Sequence, residues 1–185
     1  MRHGEPDVPK LADIRIKSRE FAQCMEIYNN SGISGASKPE DTAIDKFNSF
    51  NAVVSSDLKR SIDSALRLCP EQALIIDPLF REIEGTYLRI PFFKFAPKTW
   101  GNIFILIWLL GLFEFKGSFK AGKVRARLCA EKLIALAETH GRVLFVGHGF
   151  VNTYIVKELI SLGWDGPKMP NKRYWGYEVY RVDAQ

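Results

Sequence analysis

The stretch Val143-Leu144-Phe145-Val146-Gly147-His148-Gly149 decides how this chain is read. Four apolar residues in a row, β-branched and aromatic among them, mark a short buried strand. Gly147-His148-Gly149 closes it, and a helix resumes over roughly Phe150 to Leu162. Before the strand, a long helix from Ala121 to His140 carries Cys129, Leu133 and Leu136 on one stripe and stops at Gly141. Helix, strand, polar turn, helix is the building unit of an α/β protein.

The pattern repeats nearer the start. Ala52-Val53-Val54-Ser55 reads as a second buried strand, followed over 57–68 by a helix with Leu58, Ile62, Ala65 and Cys69 on one face. Ala73 to Ile76 is a third strand, closed by Asp77-Pro78. Residues 18–30 predict a helix with Ser18 as its N-cap and Phe21, Met25 and Tyr28 facing one way. A loop rich in Gly, Ser and Pro follows from Asn29 to Asp41. Tyr174 to Val182 alternates in the manner of an edge strand. This order predicts a three-layer α/β/α sandwich around a mostly parallel sheet, and 185 residues fit a single domain over 1–185.

A formal charge of +5 favours anionic partners. The lysines and arginines are dispersed and not interleaved with aromatics, which argues against nucleic acid as a partner. Cys24, Cys69 and Cys129 are odd in number and widely spaced, as expected of reduced core thiols. No histidine or cysteine pair has ligand spacing, so neither a metal nor another cofactor is expected. Pro6, Asp7, Pro9 and Asp13 stand where a secretory signal would be apolar, and a cytoplasmic location follows as the expectation. The pattern leaves oligomeric state open.

Residues 86–117 stand apart as an apolar insert or lid. Ile103 to Phe113 is too short to span a bilayer, which takes about 20 apolar residues. The first reading is a helix buried all round, or a lid over the C-terminal edge of the sheet. A dimer surface or shallow contact with a membrane surface are the competing readings, and both require an exposed apolar patch.

Two of the three histidines lie in Arg2-His3-Gly4-Glu5 and Gly147-His148-Gly149, at opposite ends of the chain. Together with Ser55-Ser56-Asp57-Leu58-Lys59-Arg60-Ser61 and Leu79-Phe80-Arg81-Glu82, these motifs resemble the histidine phosphatase superfamily, also called phosphoglycerate-mutase-like. In an open parallel sheet the strand ends that carry such motifs converge on one crevice. The resemblance implies a phosphatase acting on a small phosphorylated substrate through a phosphohistidine. His3 would be the nucleophile, Glu82 the acid that protonates the departing alkoxide, and His148 a donor wall of the pocket. Arg2, Arg60 and Gly149 would bind phosphate, the arginines with planar forks of N–H donors. The match around the acid is looser, because the chain continues Ile83-Glu84-Gly85-Thr86-Tyr87, and Glu84 is a rival. A phosphoglycerate-type mutase and a catalytically inactive relative serving as an interaction or membrane-surface module are the alternatives.

One departure stands out. In that family the first motif follows an apolar strand through the centre of the sheet, whereas here Met1 directly precedes Arg2. The expectation is that the first central strand is missing from this chain, through a start assigned too far downstream, and that backbone beside it is left unpaired.

Overall fold

A computed structural model describes residues 1–9, 14–83, 87–110 and 119–182. In chain order the elements are β1 (Ile16–Lys17), α1 (Ser18–Asn30), α2 (Asp41–Asn48), β2 (Ala52–Ser55), α3 (Lys59–Leu68) and β3 (Leu74–Ile76). A 3₁₀ turn, Pro78–Phe80, follows, then β4 (Lys94–Phe95), α4 (Pro97–Leu109), α5 (Phe119–His140), β5 (Val143–Val146) and α6 (Gly149–Ser161).

β3, β2 and β5 form a parallel sheet in that order, with Val53 opposite Leu74 on one side and Leu144 on the other. Successive side chains of a strand point to opposite faces, and with both faces covered β2 is buried throughout. Val53 packs with Ala65 and Leu68 of α3 and with Ala43 and Phe47 of α2. Val54 faces the other way, onto Ala126, Cys129 and Ala130 of α5 and Val151 and Ile155 of α6. Helices on both faces of a parallel sheet make the predicted sandwich. Cys69 and Cys129 are buried in these two layers, and all three cysteines are free.

A third core lies outside the sandwich. Ile16, Phe21, Trp100 and Phe104 bury together, with Phe21 and Trp100 each stacked on Phe104. The Trp100 indole N–H donates to Ile16 O at 2.7 Å. This core joins α1 to α4 and is tied off by the antiparallel pair β1–β4.

Three expectations need correction. Ser18 is the first residue of α1 and not its cap: its hydroxyl exchanges hydrogen bonds with the Ile90 backbone, and Lys17 is the N-cap, its N–H donating to Glu20. α4 is not buried all round, since Leu106 and Leu110 are 56% and 61% exposed and Phe92 on the preceding loop is 96% exposed. Among the described residues no helix is long and apolar enough to cross a membrane. Tyr174 to Val182 begins in a turn, with Trp175 at φ 62°, and forms no strand. Its Arg181 bridges to Asp165, and Gly176 O accepts from the Arg2 amide.

The reason lies beside β5. The N–H of Gly147 donates to Met1 O and that of His3 to Gly147 O, so residues 1–3 continue the parallel ladder on the free edge of β5. The Met1 amine donates to Phe145 O at 2.8 Å. Before that point, β5 and residues 177–182 line the same apolar cavity of about 550 Å³, and among the described residues no bridge joins them.

Candidate active site

Gly147 lets the chain turn out of β5 at close quarters: a Cβ there would sit 2.3 Å from Asn152 Oδ1 and 2.5 Å from the Phe145 ring. Asn152, one turn into α6, accepts the His148 amide with Oδ1 and donates Nδ2 to Met1 O. One side chain therefore holds both histidine-bearing segments in register. Gly4 is equally confined, because a Cβ would meet the Trp175 ring at 2.4 Å. Its amide donates to Ser64 Oγ, which donates in turn to Arg60 O, tying the His3 segment to α3.

His3 and His148 are both buried, with ring centroids 5.1 Å apart. Nδ1 of His3 lies 2.7 Å from Gly4 O. A carbonyl only accepts, so Nδ1 carries the proton and Nε2 keeps a free lone pair. Burial holds the His3 pKa down to about 3, helped by Arg60 and Arg2 and opposed by the Gly4 carbonyl. Burial, then His3 and Arg60, also keeps His148 well below the usual imidazole range. Ser56 Oγ is 2.7 Å from His148 Nε2. With that hydroxyl donating to Nε2, the N–H of His148 sits on Nδ1, which is buried without a partner.

Arg60, on the first turn of α3, is fully buried, against the ordinary expectation for a helix arginine. Its Nη1 donates to Tyr28 O and Asn29 O, its guanidinium stacks 4.6 Å above the Tyr28 ring, and its Nε and Nη2 have no partner. Arg2 donates Nη1 to Lys172 O and lies 4.4 Å from the Tyr174 ring centre, while its Nε is also unpartnered. Four buried N–H donors on three side chains thus lack acceptors. Buried donors are almost always paired, and this set of orphans around one space is an arrangement that an anion would satisfy.

Glu82 reaches the same place by capping α6. Its Oε2 accepts from Phe150 N–H and its Oε1 from Val151 N–H and Ile83 N–H. Gly149 N–H, the remaining amide of that first turn, is left for a ligand, and a helix N-terminus favours negative charge there. A Cβ on Gly149 would stand 3.8 Å from Arg2 Nε and 3.9 Å from Glu82 Oε2, so these three residues are neighbours. Arg2, His3, Arg60, Glu82, His148 and Gly149 therefore all converge. Glu84, the rival acid, lies outside the described residues.

Sequence reasoning gave Asn152, Ser64, Tyr28 and Tyr174 no role in the site. Their partners lie far away along the chain, 151 positions for Asn152 and Met1, or come from loops, and only the i+4 spacing of Asn152 from His148 was visible beforehand. Ser56 was within a quoted motif but had no assigned role.

The chain belongs to the histidine phosphatase superfamily (branch 1), whose family model matches residues 41–181. His3 precedes the matched stretch, and it is the fold that sets it beside His148. Comparison with curated protein sequences finds no match. Among solved structures, the chain is similar to mycobacterial glucosyl-3-phosphoglycerate phosphatase, with TM-score 0.57 and 16% identity over 98% of this chain and 94% of that one. It is also similar to mycobacterial hydrolase 1, with TM-score 0.58 and 17% identity over 99% and 94%. Phosphoserine phosphatase from Entamoeba histolytica, in complex with 3-phosphoglyceric acid, follows at TM-score 0.52 and 14% identity over 86% and 77%. At these identities the likeness is one of fold.

Proposed function

We propose that the protein is a phosphatase that hydrolyses a phosphomonoester through a phosphohistidine on His3. The observation that carries this reading is the set of unpartnered buried donors, Arg2 Nε, Arg60 Nε and Nη2, and His148 Nδ1, gathered about an imidazole whose Nδ1 is tied to a carbonyl.

In the first step the lone pair of His3 Nε2 attacks phosphorus. The N–P bond forms, the P–O ester bond breaks, and a proton on the Glu82 carboxyl passes to the departing alkoxide. In the second step Glu82, now a carboxylate, takes a proton from water as the oxygen attacks phosphorus. The N–P bond breaks, inorganic phosphate leaves, and His3 and Glu82 return to their starting states. The net change is ester plus water to alcohol plus phosphate. Charge stays on the phosphoryl oxygens throughout, so the arginine forks, His148 and the Gly149 amide act by position and electrostatic stabilisation. An imidazole kept neutral by burial is ready to attack at any ordinary pH. A single domain over 1–185, with the α1–α4 core as its lid, completes this reading.

A non-catalytic interaction module gives no reason for these donors to be buried and left unpaired. The test is rapid mixing with a radiolabelled phosphomonoester, followed by an alkaline quench. A base-stable, acid-labile label that His3→Ala abolishes is expected. Undiminished turnover in a folded His3→Ala protein overturns the assignment.

A further inference from the structure

A cavity of about 360 Å³ opens directly from the Arg2, Glu82 and Gly149 end of the site. That volume falls at the small end of the range for small-molecule pockets, about 300–1,000 Å³. Its two ends differ in chemistry. Polar residues lie beside the phosphate site: Glu82 is next to Arg2, Tyr28 and Lys172 both bond to Arg2, and Asn29 O accepts from Arg60, while Tyr87 lines the cavity with its ring against Phe21 and Phe104. The rest of the lining is apolar, with Phe21, Met25, Phe104 and Ile105 from α1 and α4, and with Ile83 and Phe150 flanking Glu82.

These walls are firmly held. Phe21, Tyr87 and Phe104 pack against one another at 5.3 to 5.7 Å between ring centres, and Phe104 rests on the buried Trp100. α4 turns Gly101 toward the same cavity. A Cβ there would find only Phe21 Cζ, at 3.9 Å, so the helix has room for a side chain that the cavity would have to accept.

We infer that the alcohol part of the substrate is apolar: the site takes the phosphate monoester of an alkyl or aryl alcohol, and its specificity is set by the α1–α4 walls. This rests on the phosphatase reading of the neighbouring site. A leaving group bearing several hydroxyls, an ammonium or a second carboxylate would be stripped of water against Phe21, Met25, Phe104 and Ile105, which offer it no partner. An alkyl or aryl group loses nothing there and releases its own hydration.

The test separates the pocket from the chemistry by measuring binding as well as turnover on the full chain. By calorimetry, hexylphosphonic acid is expected to bind about 100-fold more tightly than 2,3-dihydroxypropylphosphonic acid, having three more apolar carbons to bury and no hydroxyls to strip of water. Gly101→Leu, which fills the cavity from a position outside the phosphate site, is expected to weaken hexylphosphonic acid by about tenfold or more while methylphosphonic acid changes by less than about twofold. In turnover, hexyl phosphate should exceed phosphoserine and 3-phosphoglycerate in kcat/KM. Equal affinity for the two phosphonates, or equal losses for hexyl and methyl in Gly101→Leu, overturns the inference. His3-dependent turnover that favours the polar esters overturns it while leaving the phosphatase reading intact. Selective hexylphosphonate binding without turnover of any ester supports the pocket and overturns the phosphatase reading.

Discussion

The rings of His3 and His148 lie 5.1 Å apart and are inclined at 57° to each other, with Arg2 and Arg60 beside them. Two imidazoles and two guanidiniums in one buried space cannot all be charged, and the imidazoles are the ones that give way. With His3 held to about 3, its folded pKa is below the unfolded value, so the unfolded chain binds the extra proton first. Stability is therefore full above about pH 6.5 and falls as pH drops toward 3, with His3 alone accounting for about 2 kcal/mol at pH 5. An NMR titration in which the His3 ring protonates between pH 5.5 and 7 in the folded protein would contradict this, with those limits set around an ordinary histidine at about 6.5.

The orphaned donors predict that a phosphate-like anion stabilises the fold. At about 100 times its Kd, inorganic phosphate or vanadate should add about 2.7 kcal/mol to the unfolding free energy. Arg60→Met should abolish that gain, since it removes two of the four unpartnered donors. Thermal melts with and without the anion check both. An equal anion effect in the variant would place the binding site elsewhere.

Glu82 gives a leaving-group test. Glu82→Gln should slow hydrolysis of an alkyl phosphate by about 10² to 10⁴, the usual range for losing a general acid, and slow 2,4-dinitrophenyl phosphate far less because that alcohol departs unprotonated. The glutamine keeps one acceptor for the α6 amides, so loss of the cap should cost about 1 kcal/mol or less. Equal slowing on both esters would make Glu82 a positioning residue.

Gly147 is a test of packing. Gly147→Ala forces a methyl onto Asn152 Oδ1 and the Phe145 ring and should destabilise by about 1–3 kcal/mol in urea unfolding. Gly35→Ala, where nothing lies within 4 Å of the added Cβ, should stay within about 0.5 kcal/mol of the parent.

Burial lowers the pKa of the Met1 amine to about 5, opposed by Glu178. At pH 7 the unfolded amine is charged and the folded one neutral, a cost of about 1.4 kcal/mol. Fusing five valine or isoleucine residues ahead of Met1 replaces the amine with an amide and supplies a chain to the cavity beside β5. The fusion should melt at higher temperature than the parent, by about 4 °C or more if only that cost is recovered. A lower melting temperature would mean that the cavity does not take a strand.

Most of the framework was legible because burial writes itself into short runs. β2, β3, β5 and helices α1, α3, α5 and α6 fall within two residues of their expected bounds, since each carries a continuous apolar run or a one-faced stripe. α2 was not read: eight residues long, it shows only Ala43, Ile44 and Phe47 as an apolar face and sits in a polar stretch. Tyr174 to Val182 alternates correctly but lacks a neighbouring strand, and alternation says nothing about partners. For the site, the six residues proposed for chemistry were named from motifs, while Asn152, Ser64 and Tyr28 could not be, because a hydrogen bond between distant segments leaves no local pattern.

The meeting of residues 1–3 with 172–176 has a consequence for the order of folding. Arg2 bonds to Gly176 and Lys172, and Trp175 N–H reaches His3 O, across a wide separation in sequence. Residues 1–3 are therefore held only after residues 172–176 have folded back onto them. Closing so long a loop is slow. The sheet and its helices rest on contacts nearer in sequence, so the pairing of His3 with His148 is a late event, paced by this closure and not by the core.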